Sequence, residues 1–257
     1  MLAIKRREEI KTILLEKHSV TVAELSEKYN VTFETIRRDF EILQKEGFLT
    51  KTYGGAVLTK HVQSNIEYDV LAGLFLDNKK RIAKTAADLI DLGDCIFIDH
   101  LTTTYQIVNE IKEKRITVMS NSIKVLNELS TCRSLSLVAT GGIFNPDLYS
   151  FIGSAAISTV NKFHMDKAFI SCRALDKTKG LSDKFEPEAD IHKAIINNAD
   201  KVYLLADFTK FNKNTFVHTC GFDKITAVIT DHELSYDWKD FLSSQNIDYY
   251  ECLEQTE

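Results

Sequence analysis

Apolar positions along the first 57 residues recur at helical spacing in three short blocks. Residues 5–17 place Ile10, Ile13 and Leu14 on one face, with Leu15 beside them. Thr21-Val22-Ala23-Glu24 fits a capping box, in which a threonine hydroxyl and a glutamate carboxylate satisfy the free N–H groups of a helix start. This predicts a second helix through Leu25 to about Tyr29, followed by a turn at Asn30-Val31. Thr32 then caps a third helix that runs to about Glu46 and stops at Gly47. Ile36, Phe40 and Leu43 recur on that helix at intervals of four and three, so they face the other two. Thr35, Arg37 and Arg38 are left on the outer face, with Thr32 and Phe33 at the tip. Phe33 can touch a thymine methyl or pack beside Ile36. Residues 48–57 predict two short strands around a turn, a wing carrying Lys51.

Beyond residue 75 the period changes. Helical stretches at 80–92, 104–113 and 122–130 alternate with short continuous apolar runs at 95–98, 116–119 and 135–139. Further runs occur at 168–170, 202–206 and 227–230. Short apolar strands between helices predict an α/β fold whose mostly parallel sheet is covered on both faces. The expected organisation is a small winged helix-turn-helix domain at 1–57, a linker at 58–75 and a larger α/β domain at 76–257.

Composition narrows the function. The 257 residues suit two domains, and 44% apolar with 27% charged residues is ordinary for a folded chain. No run of about 18 apolar residues occurs and the N-terminus lacks a secretory core, so a cytoplasmic protein without a membrane partner is expected. The five cysteines are more than 30 residues apart with no Cys-x-x-Cys, which argues against disulfides and zinc and for buried free thiols. Neither a metal nor a cofactor is expected. Residues 1–60 carry 11 Lys+Arg against 9 Asp+Glu, whereas residues 61–257 carry 21 against 28. A weakly basic head on an acidic body suits a reader of double-stranded DNA joined to another function.

In a helix-turn-helix reader the second helix of the pair enters the major groove. Its first turns meet base edges and its cations meet phosphates. Thr32, Phe33, Thr35, Arg37 and Arg38 are placed for this, with Lys51 on the backbone. Asp39 is expected to pair with a neighbouring cation and not to touch DNA.

In open parallel sheets ligands bind beyond the carboxyl ends of the strands. Asp99-His100-Leu101-Thr102-Thr103-Thr104 follows the first strand, and its hydroxyls and free N–H groups make a phosphate cradle. Ser120-Asn121-Ser122 follows the second. Thr140-Gly141-Gly142 follows the third, where missing side chains let the backbone approach a ligand. Asp207 and Lys210 close another strand. His100 is expected to face solvent. An anion bearing hydroxyls, such as a sugar phosphate, uses all these groups.

Arg6, Ile10, Leu14 and Thr32, with Thr35-Ile36-Arg37-Arg38-Asp39-Phe40, Gly47, Leu49 and Tyr53-Gly54-Gly55-Ala56, follow a spacing that resembles the DNA-binding signature of the DeoR family of bacterial transcription regulators. Gly93-Asp94, Asp99 with Thr102-Thr103-Thr104, Asn121-Ser122, Gly141-Gly142, Gly153, Asp166-Lys167-Ala168-Phe169, Gly180-Leu181, Glu188 with Lys193, and Asp207 with Lys210 resemble that family's sensor domain. The resemblance implies a fold related to sugar-phosphate isomerases and an effector pocket lined by Asp99, Thr102, Thr103, Thr104, Gly141, Gly142, Lys193, Asp207 and Lys210. It implies a repressor of a carbohydrate-utilisation operon, released by a phosphorylated sugar or related metabolite, acting as a homodimer or homotetramer. The family usually has glycine where this chain has Leu101, and a side chain there narrows the loop or forces a different turn. Two other functions fit the residues: a sugar-phosphate isomerase using Asp207, Lys210 or Asp99 as acid and base, and a head that binds a protein instead of DNA.

Overall fold

The computed structural model describes residues 2–17, 19–58 and 68–254, and the chain divides into two compact units, 1–75 and 76–257.

The first unit holds the three predicted helices: α1 (Ala3–Lys17), α2 (Val22–Tyr29) and α3 (Phe33–Lys45). The Thr21–Glu24 capping box forms, and Asn30 closes α2 in the left-handed region at φ 51°. Thr32 caps α3 by accepting from the Thr35 N–H at 3.2 Å. Ile10, Leu14, Leu25, Ile36, Phe40, Leu43, Phe48 and Leu49 form its fully buried centre. The wing strands β2 (Leu49–Thr52) and β3 (Gly55–Leu58) pair antiparallel. A third strand, β1 (Ser19–Thr21), pairs with β3 and has no counterpart in the hydrophobic pattern. It is three residues long with one buried side chain, too short to show a period. Gly55 is fixed by this pairing: a Cβ there would lie 2.3 Å from the Val20 carbonyl oxygen.

Of the expected linker, residues 59–67 lie outside the described residues. The rest is not a featureless connector. Helix α4 (Tyr68–Gly73) forms, and Leu74 is buried in the core of the first unit. Leu71, Leu74 and Phe75 pack on that core and Tyr68 is buried, a spacing too short to register as a periodic pattern.

The second unit is built on a seven-stranded, wholly parallel sheet. Its members are β4 (Cys95–Ile98), β5 (Thr117–Ser120), β6 (Ser136–Ala139), β9 (Met165–Ile170), β12 (Ala199–Leu205), β14 (Ala227–Thr230) and β15 (Asp248–Glu251). The spatial order is β15-β14-β12-β9-β4-β5-β6. Both faces are covered: α5 (Leu76–Asp88), α6 (Val108–Ile111) and α7 (Ile123–Leu129) contribute to one apolar cluster, and α8 (Ser154–Val160), α9 (Glu186–Asn197) and α10 (Tyr236–Ser244) to the other. Helix α5 begins and ends about four residues earlier than the apolar spacing suggests.

Two small antiparallel sheets were not foreseen. One is the hairpin β7 (Ile143–Asn145) and β8 (Ser150–Ile152). The other joins β10 (Ala174–Asp176), β11 (Gly180–Asp183) and β13 (Val217–Cys220). All five cysteines are free, as expected, but only Cys172 is fully buried. No helix among the described residues is long and apolar enough to cross a membrane.

Candidate DNA-reading face and effector site

In the first unit, α3 is held from behind. Arg6 on α1 donates to Asp39 at 2.6 Å, and Arg7 lies 3.5 Å from the other oxygen of that carboxylate. Arg6 and Asp39 are both buried, so this ion pair locks α1 to α3 from within, and Asp39 faces away from any ligand of the outer surface. The opposite face carries the expected reading residues. Arg37 and Arg38 are exposed, and Phe33 is 53% exposed, so it does not pack beside Ile36. Arg38 has only a long, exposed contact with Glu34 at 3.8 Å, and Arg37 makes no ion pair among the described residues. The Thr32 and Thr35 hydroxyls lie 2.9 Å apart at the tip. Lys51 on the wing pairs with Glu41 at 3.3 Å, an exposed contact that a phosphate can replace. One exposed group was missed. Tyr53, at the wing tip beside Gly54, has a fully exposed side chain.

In the second unit the strand order reverses between β4 and β9, where a parallel sheet opens its ligand crevice. Asp99 sits there at the end of β4. Its Oδ1 accepts from the Leu101 N–H at 2.9 Å and from the Thr104 hydroxyl, while Oδ2 accepts from the Ser171 N–H, at the end of β9, at 2.6 Å. His192 on α9 brings Nε2 to 3.4 Å from Oδ2, and its Nδ1 lies 2.8 Å from Asp183 Oδ2 on β11. That same Asp183 oxygen also accepts from the Thr219 hydroxyl of β13. The His192 ring stacks on His100 at 5.8 Å between centroids, and His100 Nε2 lies 3.3 Å from Glu188 Oε1. Asn121, after β5, reaches His100 Nδ1 at 3.4 Å and donates to Ser150 on β8 at 2.9 Å.

All of these groups are buried, so their charges are set by one another. Burial alone would raise the pKa of Asp99, but the His192 ring beside it, with its charge, outweighs this and holds it below the usual carboxylate range. Asp183 is likewise pushed up by burial and pulled further down by the charge of His192 and its hydrogen bond. For His192 burial works downward, and Asp183 and Asp99 together hold it well above its ordinary range. These opposing shifts favour an imidazolium between two carboxylates.

Four atoms of this cluster are buried without a hydrogen-bond partner among the described residues: Asn121 Oδ1, Asp183 Oδ1, Glu188 Oε2 and His192 Nε2. Thr140 Oγ1 after β6 and Arg173 Nε after β9 share that condition. Buried polar atoms normally find partners. Three of the four in the cluster are acceptors, which suit a molecule that offers several O–H or N–H donors.

The expected effector residues divide. Asp99 is central. Thr102 accepts from the buried Lys79 at 3.0 Å, which puts a cation under the threonine loop. Thr103 is buried beside it. Thr104 departs from the cradle reading: its hydroxyl is committed to Asp99 and to the Leu101 carbonyl at 2.7 Å. Gly141 and Gly142 have φ of 63° and 108°, but at Gly142 a Cβ would meet the Ile152 carbonyl oxygen at 2.7 Å. Its missing side chain thus makes room for β8, whereas Gly141 has open space. Asp207 accepts from the Thr209 N–H at 3.0 Å; burial raises its pKa, but Lys210 and Lys79 outweigh that and keep it below the ordinary range. Lys193 is half-exposed and paired with Asp190 at 3.4 Å, and its neighbour His192 is the one drawn into the cluster. His100 is buried, not solvent-facing, because Glu188 and Asn121 replace water around it. Leu101 is accommodated without a left-handed backbone, and its side chain is buried.

Residues 6–62 match the family described as a DeoR-like helix-turn-helix domain, and residues 75–232 match the DeoR C-terminal sensor domain. The chain belongs to the DeoR family of transcription regulators. One DeoR-family relative is an uncharacterised HTH-type transcriptional regulator, YulB, of Bacillus subtilis. It is 35% identical over 91% of this chain and 91% of its own. A second is a putative aga operon transcriptional repressor of Escherichia coli O157:H7, 30% identical over 91% of this chain and 88% of its own. Among solved structures, ribose 5-phosphate isomerase A of Methanocaldococcus jannaschii overlaps 53% of this chain and 54% of its own at 17% identity, with a TM-score of 0.40.

Proposed function

We propose that this DeoR-family regulator is a cytoplasmic repressor of a carbohydrate-utilisation operon, controlled by a phosphorylated sugar or polyol. Thr32, Phe33, Thr35, Arg37 and Arg38 read operator bases and phosphates, and Lys51 holds the backbone. The effector occupies the carboxyl end of the sheet. Its phosphate lies against Thr102, Thr103 and Lys79, with Lys210 as a further cation. Its hydroxyls meet Asn121, Asp183 and Glu188. The observation that carries the effector class is the set of unpartnered acceptors within a fully buried, charge-fixed cluster at the switch point. Fixed acceptors of this kind reject a ligand that lacks the matching donors, because they would stay unpaired. Control by the effector follows if it binds unequally to the DNA-competent and DNA-incompetent conformations, since only unequal binding shifts the operator equilibrium.

The test is a thermal-shift and operator mobility-shift series with sugar phosphates, the matching unphosphorylated sugars and inorganic phosphate. A cognate ligand at 100 times its Kd adds about 2.7 kcal/mol of stability. It should lower operator affinity, and the unphosphorylated sugar should do neither. Thermal stabilisation by inorganic phosphate as large as that by every sugar phosphate would remove the hydroxyl-reading role of the cluster. Pentose and hexosamine phosphates incubated with the protein should be recovered unchanged.

A further inference from the structure

The second unit has one surface that differs from the rest. The chain is 27% charged, yet residues 134–161 contain a single charged side chain, Asp147. These residues are not hidden. Among them only Thr140, Leu148, Ser150, Ala156 and Val160 are buried. They form β6, the hairpin β7–β8 and helix α8. Strand β6 is an outer strand of the seven-stranded sheet and pairs only with β5 among the described residues. Ile143 is 70% exposed and Phe144 42% exposed, the latter packed against Phe151 at 5.5 Å between ring centroids.

We propose that the outer edge of β6 and the β7–β8 hairpin form a two-fold interface with a second copy of this chain. A free strand edge is an open row of hydrogen-bonding groups, and chains that keep such an edge single guard it with charge. The opposite edge does so: β15 begins with Asp248 and ends with Glu251. Strand β6 reads Ser-Leu-Val-Ala, with no guard. Ser136 and Thr140 donate inward, to the Ile116 and Ser120 carbonyls at 3.1 and 3.2 Å. By the alternation of a strand ladder, Leu137 and Ala139 present their N–H and C=O groups outward.

The occupant follows from charge. Residues 61–257 carry 28 acidic against 21 basic side chains, so two copies repel wherever their general surfaces meet. A segment whose one charged side chain is Asp147, with Lys124 of α7 the cation laid over it at Tyr149, is where they can approach. It is also self-complementary: a two-fold axis lays β6 antiparallel to its own copy and brings the two hairpins together. Depletion of charge with exposed aromatic and aliphatic side chains is the composition of an interface centre. Asp147 lies in the turn of the hairpin, outside the strands.

The full chain is weighed by sedimentation equilibrium across the micromolar range. The unaltered chain should be an even-numbered oligomer. The double variant Ser136→Lys/Ala139→Lys, which puts charge on the edge, and Ile143→Glu/Phe144→Glu should each give half that mass with an unchanged far-ultraviolet circular dichroism spectrum. Phe216→Glu, at a fully exposed site outside the patch, should keep the parent mass. A monomeric parent, or folded variants of both kinds that retain the parent mass, would overturn the proposal. Hydrogen exchange on the unaltered chain needs no variant. The Leu137 and Ala139 amides should be protected in the oligomer and exposed on dilution, and rapid exchange at concentrations where the oligomer persists would equally overturn it.

Discussion

The two units solve recognition in opposite ways. In the head, the residues placed to meet DNA are exposed and barely paired: Arg37 has no ion partner among the described residues, and Arg38 and Lys51 have exposed, long contacts. The rigidity comes from behind, from Arg6–Asp39 and the apolar core. In the sensor, the candidate ligand groups are themselves the rigid part, buried and held to one another across the ends of β4 and β5, strand β11 and helix α9. The difference follows from the ligand. A duplex is large and charged, so solvated cations on a stiff rod suffice, and released counterions supply much of the affinity. A small molecule offers few contacts, so each must be preorganised in a place without water.

The largest effect that tests this contrast is Asp39→Ala. It leaves Arg6 buried without its carboxylate, which costs about 3–5 kcal/mol. Calorimetry should show the head transition collapsing while that of the sensor stays. The paired change Arg6→Met/Asp39→Leu should recover most of the loss, and failure to do so would mean that the pair is more than a structural tie.

Next comes Arg37→Ala. Operator affinity should fall by about 1–3 kcal/mol if the contact is to a base, and the salt slope should flatten by about one unit if it is to a phosphate. Arg38→Ala should cost less, because Glu34 already draws on its charge. Equal losses, or none, would blur the distinction between the free and the paired cation.

His192→Gln tests the buried side. The folded-state pKa of His192 is raised, so its stabilisation is complete below the unfolded pKa of about 6.5 and is lost as pH climbs through the folded value. The stability gap between parent and variant should therefore shrink above about pH 6.5, by up to about 1.4 kcal/mol per pH unit. The depressed values of Asp99 and Asp183 act at the other end, where stability is lost as pH falls below about 4. A gap independent of pH would show a neutral His192.

The smallest effect is Thr21→Ala. Losing the capping box of α2 should cost about 1 kcal/mol, read as a small fall in the head midpoint alone.

The same contrast decided what the sequence could reveal. The head is contiguous, and its signals are local: a cap, a left-handed stop and apolar residues three and four apart sufficed to place α2, α3 and their outward side chains. Six of the seven strands of the parallel sheet were equally legible, because each contains a short apolar run; β15, Asp-Tyr-Tyr-Glu, offers none. The site was half legible. Asp99, Asn121 and Asp207 could be found as the residues that follow strands. His192 and Asp183 could not, and Glu188 entered only through the family resemblance, because all three lie on a helix and on a small antiparallel sheet that brings them back over the crevice from about 60 to 90 residues away. Nothing local distinguishes His192 from its neighbour Lys193, to which the family resemblance pointed. His100 was misjudged for the same reason, since its burial depends on Glu188. Lys79 gave no signal beside the equally cationic Lys80.

The Arg6–Asp39 strut has a consequence for how such proteins diversify. It fixes the pose of α3 from its buried side, so the outward positions 32, 33, 35, 37 and 38 can be exchanged without reshaping the scaffold. A duplicated gene could acquire a new target through a handful of codons while inheriting an intact fold.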